Sequence, residues 1–236
     1  TARRGNLIGA FGATLATLVV FFYANPDSSL PLNNLGWILG AIVLGLAVGV
    51  PAARKVQMTQ MPQLVALFNG VGGGAAALVA IVEYLNLGSK ATTAVVIFTV
   101  FTVIVGCVSF SGSIITFMKL QELMTTRPVV FPGGRFVIAG TLVAVLGVSG
   151  WVVVALGTTP LLILAALSLL FGILFVLPVG GADVPIVISL LNAFTGLTVA
   201  ASGYVLDSTM LIIAGTLVGA SGTILTRMMA EAMGRS

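Results

Sequence analysis

The sequence predicts an all-α, polytopic transmembrane bundle of about eight spanning helices. Three observations predict it. The composition is 58% hydrophobic and only 7% charged, with mean hydropathy +1.20, whereas a soluble domain carries about 25% charged residues. Apolar runs near the length of a bilayer crossing recur from end to end. Nine of the ten basic residues fall on one side when the runs are laid across a membrane in order.

A hydrocarbon core of about 30 Å takes roughly 20 mostly apolar residues of helix. The runs are Leu7–Tyr23, Leu35–Ala53, Leu64–Leu85, Ala91–Leu120, Phe136–Leu156, Leu161–Val179, Val184–Leu206 and Leu211–Met229. No small-residue cleavage site follows the first, so it reads as a retained helix rather than a signal peptide. The chain opens Thr1-Ala2-Arg3-Arg4 without a methionine, and further sequence is expected upstream. The fourth run exceeds one crossing and is expected to continue past the membrane. Between the runs lie turn signals: Asn25-Pro26-Asp27, Arg54 to Pro62, Asn86-Leu87-Gly88, Thr125 to Gly134, Gly157 to Pro160, Gly180-Gly181-Ala182 and Asp207-Ser208.

With eight crossings one side receives Arg3, Arg4, Arg54, Lys55, Lys119, Arg127, Arg135, Arg227 and Arg235, and the other only Lys90. The positive-inside rule makes the basic side cytoplasmic and puts both ends there. The same distribution excludes nucleic acid as a partner, because the basic residues make no patch interleaved with aromatics. A single cysteine, Cys107, forms no intrachain disulfide, and the absence of histidine removes the commonest proton relay and metal ligand. Proton chemistry here must use carboxylates, water or another chain.

Glycines recur at helix-packing spacing: Gly36 and Gly40, Gly45 and Gly49, Gly215 and Gly219. Such pairs let backbones approach closely in lipid. Gly70-Val71-Gly72-Gly73-Gly74-Ala75 fits the glycine pattern of dinucleotide sites, but it lies inside an apolar span with no preceding strand. It is read as helix packing, or as room for water.

Polar side chains at membrane depth are costly and mark pathways. Asp183 follows Gly180-Gly181-Ala182 and precedes Val184-Pro185, where an N-cap carboxylate would accept backbone N–H bonds. A structural cap and a carboxylate facing a cytoplasmic partner both fit. Asn192 lies nine residues on, about 13 Å into the membrane, with Ser189 and Thr195 at i−3 and i+3 on one helix face. It serves either as an interhelical hydrogen bond or as the lining of a water path. Asn69, about 10 Å deep from the same side, is placed to meet Asn192; neither amide titrates, so both orient water or bind a titrating group. Glu83, near the far end of the third run, either reaches the interface or serves proton entry or exit. Ser109, Ser111 and Ser113 add hydroxyls, a weak signal because serines often bond back to their own helix.

The blocks Asn34-Leu35-Gly36-Trp37-Ile38-Leu39, Ala53-Arg54-Lys55-Val56-Gln57-Met58-Thr59-Gln60-Met61-Pro62-Gln63-Leu64-Val65-Ala66, Gly180-Gly181-Ala182-Asp183-Val184-Pro185-Ile186-Val187 with Leu191-Asn192, and Gly215-Thr216-Leu217-Val218-Gly219-Ala220-Ser221-Gly222 carry a further reading. Through them the chain resembles, over essentially its whole length, the membrane part of the beta subunit of proton-translocating NAD(P) transhydrogenase. The resemblance implies one transmembrane domain over residues 1–236, part of an oxidoreductase and translocase that couples proton passage to hydride transfer between NAD(H) and NADP(H). It implies no cofactor bound by this chain itself, with the nucleotides held on companion soluble domains and the NADP(H) domain expected beyond Ser236. It further implies an alpha subunit bringing additional transmembrane helices, a dimer of the whole complex, and the cell inner membrane as its place.

Position by position, the resemblance places Asp183, with Arg227, at the face toward the NADP(H) domain and Asn192 on the proton path. Gly215, Gly219 and Gly222 match small positions on the last helix. Asn69 stands where other members have histidine, so a companion subunit's helix is expected to supply the titrating group, with Asn69, Asn192 and Thr195 holding water around it. Two rival readings are a secondary transporter or channel, for which repeats or paired broken helices are expected, and a non-catalytic membrane assembly subunit, which needs no mid-membrane amides. The sequence has no clear internal repeat and no midplane carboxylate.

Overall fold

The computed structural model describes residues 2–19 and 35–235 of the 236-residue chain. Eight helices account for nearly all of the described residues: α1 (Ala2–Val19), α2 (Leu35–Lys55), α3 (Met61–Leu87), α4 (Thr93–Leu120), α5 (Gly134–Ala155), α6 (Thr158–Val176), α7 (Val184–Val205) and α8 (Thr209–Ala232). In hydrocarbon every backbone N–H and C=O must be satisfied within the segment, and a helix does this. Seven of them, α2 to α8, are long and apolar enough to cross a membrane. The described part of α1 is less apolar because its 18 residues include Arg3, Arg4 and Asn6. The rest of the first predicted run and the Asn25-Pro26-Asp27 break lie outside the described residues. The chain is a multi-pass membrane protein.

Local chemistry explains the helix ends. Pro62 and Pro185 sit in the first turns of α3 and α7, where a missing N–H loses no intrahelical bond. Thr92 caps α4, its hydroxyl accepting from Val95 N at 3.4 Å. At 28 residues, α4 is about 42 Å long and overhangs the bilayer core, as expected from its run. The α7–α8 turn is closed by Ser208 N donating to Gly203 O at 2.7 Å, with Asp207 in the left-handed region at φ 50°. Aspartate tolerates that region better than most residues.

The chain divides into two units, the first ending at Val56 and the second starting at Gln57. The first contains α1 and α2. Within it, no described residue lies within 4 Å of where a Cβ on Gly36, Gly40, Gly45 or Gly49 would stand. In the second unit α4 is central, with α3, α6 and α7 around it; α8 packs on α7, α5 on α6, and α3 also touches α7.

Small residues hold these helices together. A Cβ on Gly106 of α4 would lie 2.7 Å from the carbonyl oxygen of Gly73 on α3. On the other flank, a Cβ on Gly196 of α7 would lie 2.6 Å from Gly219 N of α8, and one on Gly222 would lie 3.0 Å from Ala193 Cβ. Gly215 packs on the Ala200 backbone and Gly219 on Leu197. The Gly70–Gly74 stretch meets Ser113, Ser109 and Phe110 of α4 and forms part of the α3–α4 seam. Large apolar side chains instead point outward, as lipid requires: Val143 and Leu217 are 68% and 65% exposed.

Gly196→Val is therefore expected to destabilise the protein by about 1–3 kcal/mol through overpacking, while Gly140→Ala, with nothing within 4 Å, stays within about 0.5 kcal/mol. Thermal unfolding of the two variants in the same detergent checks the contrast.

Candidate functional site

The close approach of α3, α4 and α7 brings polar groups together in the middle of the second unit. Asn69 on α3 is 8% exposed, and its Nδ2 donates to Ser109 Oγ at 3.3 Å and Ser113 Oγ at 3.0 Å on α4. Ser109 Oγ lies 2.6 Å from Thr195 Oγ1 on α7, and both hydroxyls reach Leu191 O, at 3.1 and 3.0 Å. Gly73 makes the site possible, since a Cβ there would lie 2.9 Å from Ser109 Cβ.

Counting protons shows what this cluster can do. Ser109 and Thr195 carry one O–H each, and between them stand one shared contact and the Leu191 carbonyl. Either Ser109 donates to Thr195 and Thr195 to the carbonyl, or the roles reverse. The same heavy atoms thus support two proton arrangements. Asn69 Oδ1, in contrast, is buried without a partner among the described residues. If the amide is turned over, its NH₂ becomes the end left open, so in either orientation one polar end awaits a water or an incoming side chain. Leaving such an atom unsatisfied costs about 1–3 kcal/mol.

The face expected to hold Ser189, Asn192 and Thr195 together is divided among neighbours. Ser189 accepts from Thr226 Oγ1 of α8 at 2.8 Å, whereas Thr195 belongs to the α4 seam. Asn192, between them, is exposed, and among the described residues nothing hydrogen-bonds its amide. The expected meeting of Asn69 and Asn192 is corrected accordingly: Asn69 is turned to α4, and Asn192 faces outward at membrane depth. Successive i, i+3 steps rotate by 60°, so three such residues span an arc wide enough to touch different helices. Glu83 is partly exposed and joins none of these groups.

At the basic end Asp183 occupies the residue before α7 but makes no cap hydrogen bond. The reason is local. It ends a 3₁₀ turn over Gly181–Asp183 with φ −92° and ψ −4°, not the extended geometry a cap needs, and Pro185 removes one N–H it would serve. Its carboxylate instead takes a two-pronged contact from Arg235, Nε to Oδ1 at 2.9 Å and a terminal nitrogen to Oδ2 at 3.1 Å. This pair ties the start of α7 to the segment just past α8. Arg227, expected alongside Asp183, pairs with Glu231 at 2.9 Å one turn on, fully in the open, a contact worth little.

Sequence reasoning used Lys119 only as a charge on the basic side. In the structure it is 0% exposed, and its ammonium donates to the carbonyls of Val176, Leu177 and Val179 at 3.1, 2.6 and 2.7 Å. These carbonyls lie at and just past the end of α6, where the helix dipole favours a cation. Beside them Val129 N donates to Leu177 O at 3.0 Å and Gly181 N to Thr126 O at 2.9 Å. Lys119 thus anchors the loop leading to Asp183. The signal was a lysine inside a run too long for one crossing. Ser109 was likewise undervalued: Ser111 bonds back to Cys107 O at 3.0 Å, but Ser109 does not and becomes the hub.

Lys119→Met is expected to leave Val179 O without its donor and to strip the charge-assisted bonds from Val176 O and Leu177 O, destabilise the α6 end by about 2–3 kcal/mol, and open the Gln121–Gly133 loop to protease. Limited proteolysis of purified wild type and variant measures it.

Comparison with known proteins matches the whole chain. The family model for NAD(P) transhydrogenase beta subunit covers residues 1–236. Two curated sequences of NAD(P) transhydrogenase subunit beta, both from Rhodospirillum rubrum, are 38% identical to it over 243 residues, taking in 100% of this chain and 51% of each relative. The chain spans about half the length of the curated relatives it matches.

Proposed function

The chain belongs to the NAD(P) transhydrogenase beta subunit family, and we propose that it forms the membrane module through which such an enzyme couples proton passage to hydride transfer between NAD(H) and NADP(H). The nucleotides sit on companion soluble domains, and an alpha subunit supplies further transmembrane helices. In this reading the module lies in the cell inner membrane with its basic end cytoplasmic, within a dimer of the whole complex.

One observation carries the reading: a cluster of hydroxyls and an amide, Asn69, Ser109 and Thr195, is kept at membrane depth with one amide end open. A bundle that merely anchored its partners would gain nothing from that expense. None of the three groups titrates near neutral pH, so their part is to orient water and to pass hydrogen bonds in either sense. The titrating group arrives on a companion helix against the exposed Asn192 face, one turn from Thr195. The outward amide is itself an argument for that helix, because an amide in lipid needs a polar partner.

Coupling runs through α7. The NADP(H)-binding domain meets the basic end near Asp183 and Arg235, and a change in its contacts is felt at the first turn of α7. Glycine contacts seat α8 on α7, so the two move as a unit, and displacement of α7 shifts Asn192 and Thr195 relative to α3 and α4. A switch of this kind requires that the domain contact the two arrangements differently.

Two tests follow from the roles. Asn192→Leu in the intact complex is expected to lower nucleotide-driven proton uptake into proteoliposomes by at least about tenfold, the scale of one lost hydrogen bond at a barrier; unchanged uptake would falsify the pathway. Asp183→Asn removes the charge that holds Arg235, and is expected to alter NADP(H) affinity and proton uptake together, read by nucleotide titration and uptake on one preparation. A loss of uptake with normal nucleotide binding would remove Asp183 from the coupling route.

A further inference from the structure

Among the described residues, the buried side-chain polar atoms that lack a partner in the protein are Gln63 Oε1, Asn69 Oδ1, Tyr84 OH, Thr99 Oγ1, Thr102 Oγ1 and Ser202 Oγ. All six lie on α3, α4 and α7. Other buried hydroxyls, on α6 and on α4 itself, avoid this condition by bonding to their own helix: Ser168 to Leu164 O at 2.7 Å, Thr116 to Gly112 O at 2.8 Å, Ser111 to Cys107 O at 3.0 Å. Four hydroxyls do not, although Thr99 and Thr102 are 0% exposed, Tyr84 4% and Ser202 6%.

Helix register places these four at one level. Ser109 touches Thr195, and α4 runs antiparallel to α7; seven residues back from Ser109 is Thr102, and seven on from Thr195 is Ser202. Both steps advance two turns, about 10 Å, along the same faces. The Phe98–Tyr204 rings, with centroids 4.3 Å apart, keep the two helices in contact past that level. On the other seam a Cβ on Gly106 would lie 3.0 Å from Ala77 Cβ. Seven residues from each, toward the same end, are Thr99 and Tyr84.

We propose that α3, α4 and α7 hold a second polar station, a small cluster of ordered waters bridging Tyr84, Thr99, Thr102 and Ser202 at the end of the bundle remote from Asp183. Buried hydroxyls without protein partners are what internal water satisfies, each water making about three hydrogen bonds. A hydroxyl donates and accepts at once, so a water held here takes a proton on one side and gives one up on the other without net change. The water site stands on the unpartnered hydroxyls alone; its service as the outer segment of the proton route rests on the reading proposed above. It carries that route between the Ser109–Thr195 pair and the far surface, in place of Glu83.

X-ray hydroxyl-radical footprinting of the intact complex in proteoliposomes, read by mass spectrometry, tests the site, because radicals formed from bound water label the side chains beside it. Oxidation of Tyr84 is expected despite its burial, with the apolar Leu161–Leu164 stretch unlabelled, and is expected to fall to background in a Thr99→Val/Thr102→Val/Ser202→Ala variant. These changes remove the polar groups with little change in side-chain volume and are compatible with folding; Tyr84 at background in the wild type would overturn the water site. Thr102→Val with Ser202→Ala is further expected to lower nucleotide-driven proton uptake about tenfold. Unchanged uptake with Tyr84 still labelled in the wild type removes the station from the route. Should Asn192→Leu pump normally while Tyr84 is labelled, the pathway reading fails and the water site stands.

Discussion

Between helices in lipid there is no hydrophobic drive, so α3, α4 and α7 stay together by the closeness that Gly73, Gly106 and Ser109 allow. That closeness decides the chemistry. With backbones this near, a hydroxyl on one helix meets a carbonyl or an amide on the next, as Ser109 meets Leu191 O and Asn69. Larger residues at these seams would separate the helices and leave each polar group to bond back to its own backbone.

The seams differ in what they contain. Between α7 and α8 the contacts are glycine against backbone, with the Thr226–Ser189 hydroxyl pair toward one end. Such a seam is tight and mostly apolar, suited to moving two helices as one body. Between α4 and its neighbours α3 and α7 the same tightness carries amide and hydroxyl groups, several without protein partners. Polar groups held in a low-dielectric interior are sensitive to small displacements, since hydrogen bonds weaken steeply with distance and angle.

At the basic end, charges are arranged to hold loops rather than to decorate them. Lys119 donates three hydrogen bonds to the end of α6, and the backbone bonds at Thr126 and Leu177 join the α4–α5 and α6–α7 loops. From this fixed base the chain enters α7 at Asp183, whose partner Arg235 lies just beyond α8. The two ends of the α7–α8 pair therefore meet at one exposed ion pair, next to a rigid support.

The apolar runs that became α2 to α8 and the turns between the helices of the second unit were legible in the sequence, because helix length is set by the bilayer and not by neighbouring helices. The partners of the polar side chains were not. Ser189, Asn192 and Thr195 look alike on a helical wheel, yet one binds α8, one faces outward and one joins α4. Asp183 has the right neighbours for a cap but the wrong backbone angles, and Lys119 reaches carbonyls 57 to 60 residues away. Sequence alone determined which groups enter the membrane; only the packing of helices distant in the chain decided which of them are satisfied and which are left open, because a hydrogen bond depends on ångströms between elements whose separation no local pattern encodes.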